Sequence, residues 1–216
     1  LILPGLAAAG VRFGRVLRGA WQSLRWRSEA ERLVEHDESL DACVLDSGRM
    51  IAMTAGLFFP RIFISRSLIE ELGDESTAVL VAHERAHCER WDALGKLAAR
   101  LLTIPLPAPV RIELLEEIDV ASELCCDARA SRTAGDPLDV AELLVRVERL
   151  TAGEAPPLTS QFGAGQVERR VRALVDPDWQ PSSRLAELGC VVAAIGLLVA
   201  FNDWLHHAVE TVLMLA

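Results

Sequence analysis

His83, Glu84 and His87 stand close together in the run "VAHERAHCERWD", residues 81–92. On a helix, residues four apart share a face and lie one turn from each other, so both imidazoles project side by side. That separation lets two histidines bind one zinc ion tetrahedrally. Glu84 then leans over the position left open for water, where a carboxylate serves as general base and afterwards as acid. The pattern is H-E-x-x-H, the arrangement of zinc-dependent peptide hydrolysis. The bland alternative is a charged helix whose histidines are merely polar surface. Its neighbours argue otherwise: "AVLVA" at 78–82 and Ala86 surround the motif with apolar side chains. A buried imidazole needs a partner, and one metal ion satisfies both at once.

Catalytic zinc takes a third protein ligand and leaves a fourth position free. Glu113, Glu116, Glu117 and Asp119 lie in the acidic run "ELLEEID", which reads as a solvated face. Glu123 and Asp127 differ, since "VASELCCDARA" surrounds them with small or apolar residues and sets them four apart. A carboxylate in such a place needs a cation. Glu123 is the expected third ligand, and Asp127 an outer group that orients a histidine. The competing reading pairs these acids with Arg129 or Arg132. Cys126, three residues beyond Glu123, could approach the same face. Packing is the expected role for Cys125, Cys126 and Cys88, because cysteine is among the residue types most often buried.

These residues must be held by a folded region, and its elements are legible. Short strands are expected near 42–46, 50–55 and 61–65, where β-branched and aromatic residues are broken by Ser47-Gly48 and Phe59-Pro60. A helix from Ser67 to Leu72 ends at Gly73. Asp74 then caps a long helix that runs to about Leu102, where Pro105, Pro107 and Pro109 stop it. Further helices are expected over 110–131, 137–150 and 165–175.

Length and composition set the outer bounds. The chain has 216 residues, 51% hydrophobic and 25% charged, with a mean hydropathy of +0.25. Such a mixture suggests a soluble part and a membrane part in one chain. A net charge of −9 argues against nucleic acid as partner, which would call for a basic face. Five cysteines, an odd number with no C-x-x-C pair, favour reduced thiols and a cytoplasmic setting.

Leu188–Phe201 is a run of fourteen residues without a polar side chain. With its flanks, 185–207 is long enough to span a bilayer if Glu187 and His206 sit at the interfaces. At the other end, "LILPGLAAAG" looks like the tail of an apolar segment. There follows a helix with Phe13, Val16, Leu17, Trp21 and Leu24 on one face, and with Arg12, Arg15, Arg18, Arg25 and Arg27 supplying charge. Such a helix suits a membrane surface. Arginines follow the first apolar segment and precede the last, and none comes after Arg184. The positive-inside rule then puts the region between them in the cytoplasm. The expected organisation is 1–28 as the end of a transmembrane segment with a basic juxtamembrane helix, 29–183 as the catalytic domain, and 184–216 as a transmembrane helix with a short tail. The start at Leu1 suggests a longer parent chain.

"HERAHCERWD", "ELCCDARA" and the upstream "GLFFPRIFIS" resemble the BlaR/MecR-type membrane zinc metallopeptidases, metallopeptidase family fifty-six, the β-lactam sensor-transducer group. The likeness runs from about Met50 to Leu174 and includes "VERRVRALVDP". It implies a mainly helical α+β fold: a glutamate-zincin domain with a small antiparallel sheet, flanked by membrane helices on the cytoplasmic side of the inner membrane. It also implies zinc on His83, His87 and Glu123, Glu84 as base, and Asp127 as the acid of the E-x-x-x-D pair. Residues 50–65 would form a sheet edge that takes an extended peptide as an added strand. The implied reaction is endoproteolysis of a cytoplasmic protein, a regulator or repressor in signal transduction. Only a short tail follows the last apolar segment in this sequence, so the resemblance is expected to concern the protease module and not β-lactam sensing. Two alternatives stand beside it. One is a quality-control or prenyl-protein zinc protease, which shares H-E-x-x-H and E-x-x-x-D. The other is a non-catalytic membrane scaffold stabilised by zinc.

Overall fold

The computed structural model describes residues 2–32, 34–151, 164–176 and 178–179. The expected C-terminal membrane segment, 185–207, lies outside the described residues. Among the described residues, no helix is long and apolar enough to cross a membrane.

The chain opens with helix α1 (Ile2–Ala30) and continues through strands β1 (Val34–Asp37), β2 (Ala42–Leu45), β3 (Ala52–Ala55) and β4 (Arg61–Ser65). Among the described residues, six helices follow: α2 (Arg66–Leu72), α3 (Asp74–Arg90), α4 (Asp92–Leu102), α5 (Ala108–Ala134), α6 (Pro137–Thr151) and α7 (Ala164–Val175). The fold is mainly helical α+β with one small sheet. The expected strands near 42–46, 50–55 and 61–65 correspond to β2, β3 and β4, β1 is an additional strand, and the helix expected over 74–102 is two helices, α3 and α4.

The sheet is mixed rather than antiparallel. Its order is β1-β2-β4-β3, with β1–β2 and β3–β4 antiparallel and β2–β4 parallel. The chain leaves β2, reverses into β3 two places away, and returns with β4 in the gap. Apolar alternation marks each strand but carries no information on which strand enters between which. β3 is therefore an edge strand.

The two faces of the sheet are both covered. Ala42, Val44, Ile62 and Ile64 face Leu68, Leu72, Val79, Leu80 and Val81 of α2 and α3. Cys43, Leu45, Ala55 and Phe63 face the other way, against Ala30 and Trp26 of α1. Phe63 is fully buried, with the Trp26 ring set edge-on at 5.3 Å. Burying a side chain of that size contributes about 1.5–3 kcal/mol. Of the face expected on α1, Phe13, Leu17, Trp21 and Leu24 are exposed, while Val16 is partly turned toward the protein.

Three local features position the site. Ser65 caps α2 by accepting from the Leu68 amide, and its hydroxyl also accepts from the Ile51 amide at 2.9 Å. Gly73 has φ 76°, the left-handed region open to glycine, and closes α2 while serving as N-cap of α3. Asp74, expected as the cap, is instead the first residue of α3, where with Glu75 it favours the positive helix end.

The long helix expected over 74–102 is broken at Trp91. That residue adopts φ 56°, ψ 40°, and its amide donates back to the carbonyls of Cys88 and His87. No glycine or proline marks the break, so local sequence conceals it. A left-handed tryptophan costs about 1–2 kcal/mol. Beyond the turn, Asp92 reaches back to His87 and Lys96 reaches Asp119 and Glu123 of α5.

Candidate metal centre

α3 lies between the sheet and α5, and is buried on more than one side. Its buried residues include Thr77, Val79, Leu80, Val81, His83, Glu84 and Ala86. α5 turns Val120, Glu123, Asp127 and Ala130, spaced by three and four, into the interior together with Ser122 and Cys126. The two helices pack directly together, which brings both halves of the candidate ligand set to one place.

His83, His87 and Glu123 converge there. Glu123 Oε2 lies 3.4 Å from His83 Nε2 and 3.6 Å from His87 Nε2. Ligands about 2.0–2.1 Å from a tetrahedral metal stand about 3.3 Å from one another. The observed separations therefore fit a single ion between the three atoms. The cluster can hold a metal ion.

Each outward ring nitrogen faces a carboxylate, the kind of outer partner that orients a ligating histidine. His83 Nδ1 is 3.0 Å from Asp127 Oδ1, in a bent contact better described as electrostatic than as a straight hydrogen bond. His87 Nδ1 lies 2.7 Å from Asp92 Oδ2, and the Cys126 sulfur is 3.3 Å from the same nitrogen. Asp92 in turn accepts from the Ser122 hydroxyl at 2.7 Å and from Arg90 at 3.2 Å.

Asp127 is 1% exposed and Glu123 2%, so their charges need cations. The partner is Arg170 of α7, not Arg129 or Arg132. Arg170 donates to both Asp127 oxygens, at 2.8 and 2.6 Å, and its Nη1 stands 3.4 Å from Glu123 Oε2. Arg129 pairs on the surface with Glu89. Lys96 of α4 approaches Glu123 Oε1 at 3.4 Å and Asp119 at 3.3 Å. Within the expected solvated run, Asp119 pairs with Lys96 and Glu117 with Arg169, the latter at 2.9–3.0 Å.

Electrostatics follow from these contacts. Burial disfavours the His83 and His87 imidazoliums. The carboxylates around them outweigh it, raising His83 above its usual 6.5 and His87 to about 12 without metal. Burial equally opposes ionised Glu123 and Asp127, but the histidines and Arg170 hold both carboxyls below their ordinary values. Asp92 is lowered against burial by His87 and Ser122. Burial pushes the Cys126 thiol up, only partly countered by His87.

Glu84 follows His83 on α3, is 9% exposed, and its charge acts on both His83 and His87. Its Oε2 accepts from the Thr54 hydroxyl at 2.8 Å, and the same hydroxyl lies 3.0 Å from the Glu84 carbonyl. Thr54 belongs to edge strand β3, so the sheet edge and the H-E-x-x-H helix meet at this residue. Of the cysteines expected to pack, Cys126 is buried, Cys88 is half-buried and Cys125 is exposed.

Sequence reasoning missed Asp92, Arg170, Lys96 and Thr54. Asp92 could have been found, because it closes the quoted "HCERWD" run. Arg170 lies within the quoted "VERRVRALVDP", but its pairing with Asp127, 43 residues away, leaves no local signal. No family model and no curated protein matches the sequence.

Proposed function

We propose that this chain is a zinc-dependent endopeptidase, of the glutamate-zincin type that the BlaR/MecR-like motifs imply. The observation that carries the reading is the convergence of His83 Nε2, His87 Nε2 and Glu123 Oε2, with Glu84 next to His83 in sequence and its charge acting on both histidines. Two imidazoles and a carboxylate are a donor set suited to zinc. Three protein ligands with a neighbouring base fit a catalytic site better than a structural one, which four ligands would close. Zinc bound there supplies Lewis acidity for the scissile carbonyl and a more acidic water.

The chain's own residues account for the rest. Glu84 takes the proton of the attacking water and delivers it to the leaving amine nitrogen, so the peptide bond breaks into an acid and an amine. Thr54 fixes the carboxylate for that transfer. The outer edge of β3, which no strand among the described residues pairs with, is suited to an extended peptide that would add as a strand beside α3. A cytoplasmic regulator as substrate and an inner-membrane location are part of this proposal. The exposed Phe13, Leu17, Trp21 and Leu24 of α1, interspersed with arginines, support contact with lipid.

The test is cleavage of a peptide library by the zinc-loaded protein, read by mass spectrometry. Cleavage that a chelator abolishes and added zinc restores is the expected result. Tight zinc binding with no cleaved peptide would instead favour the scaffold.

A further inference from the structure

The two oxygens of Glu123 have different neighbours. Oε2 faces His83, His87 and Arg170, whereas Oε1 faces Lys96 Nζ at 3.4 Å. The same ammonium is 3.3 Å from Asp119 Oδ1, one turn earlier on α5. The Lys96 side chain is only 18% exposed, so its charge is largely withdrawn from water and is matched by these two carboxylates. The helix break brings it there. On an unbroken helix Lys96, nine residues after His87, would lie on roughly the opposite face. The turn at Trp91 redirects α4 so that Lys96 meets α5 instead.

We propose that Lys96 is a positioning residue of the metal centre, holding Glu123 Oε1 so that Glu123 offers one oxygen, Oε2, to the ion. This rests on the reading that the cluster binds metal, and not on the proteolytic reading. A carboxylate can ligate through one oxygen or both. With three protein residues at the ion, a second Glu123 oxygen would take up the remaining coordination position. Lys96 thereby keeps that position available, a role distinct from tying α4 to α5.

Cobalt(II) is the probe, because the intensity of its visible absorption falls as coordination rises from four to five. The full chain is loaded with Co2+ as wild type, Lys96→Met and Lys96→Arg, with thermal melting recorded for each. The proposal expects Lys96→Met to bind Co2+ with a weakened visible band and Lys96→Arg to restore the wild-type spectrum. A mere tie between helices would lower the melting temperature and leave the spectrum unchanged. An unchanged Lys96→Met spectrum therefore overturns the proposal. If Lys96→Met does not fold, Asp119→Asn loosens Lys96 without removing it: a weakened band is expected, and an unchanged one overturns. A wild-type protein that takes up no Co2+ overturns the metal reading, and this inference with it.

Discussion

Asp92 Oδ2 lies 2.7 Å from His87 Nδ1, across the break at Trp91 that separates α3 from α4. The contact fixes which nitrogen of His87 remains for the cluster. Groups that orient ligating histidines typically contribute 10–100-fold in metal affinity. Asp92→Asn is therefore expected to weaken zinc binding by about 10–100-fold while leaving the protein folded. Chelator competition and circular dichroism together check it. Unchanged affinity would mean that Asp92 only ties the two helices.

Arg170 faces Asp127 through two hydrogen bonds, with both side chains almost wholly buried. Removing one partner of a buried pair leaves an uncompensated charge and costs about 3–5 kcal/mol. Arg170→Met should lower unfolding stability by about that amount, as denaturant titration of the metal-free protein would show. A loss below about 1 kcal/mol would place the pair among ordinary surface contacts.

The titrating groups predict a pH window for the metal-free protein. Glu123 and Asp127 are held below their ordinary 4.5 and 3.8, so their contribution is present above those values and is lost as pH falls. His83 and His87 are raised above 6.5, His87 to about 12, so theirs is present below 6.5 and is lost as pH climbs toward 12. Stability without metal should therefore peak between roughly pH 4.5 and 6.5. Metal needs neutral imidazoles, so uptake near pH 7 should release protons and affinity should rise with pH. Calorimetry in buffers of different ionisation heat measures the release, and finding none contradicts the assignment.

Local chemistry explains what the sequence makes legible. His83, Glu84 and His87 show themselves because a four-residue spacing on one helix is a local property. Glu123 and Asp127 show themselves because acids among small apolar residues conflict with burial unless a cation is near. Lys96, Arg170 and Thr54 were not legible, since each joins the site through a contact between elements distant in sequence. The turn at Trp91 is hidden for a related reason: tryptophan does not favour a left-handed backbone, and the contacts beyond the turn join elements distant in sequence. The sheet shows the same limit, with strands marked by composition and their order set by tertiary packing.

Glu84→Gln tests the central claim most directly. Zinc content per chain and peptide-library cleavage are measured side by side for this variant and the wild type. A catalytic zinc centre predicts equal zinc in both and cleavage lost in the variant, because Gln keeps the shape of the side chain but cannot take a proton. Cleavage that survives the substitution would contradict the assignment of Glu84 as base, and with it the endopeptidase reading.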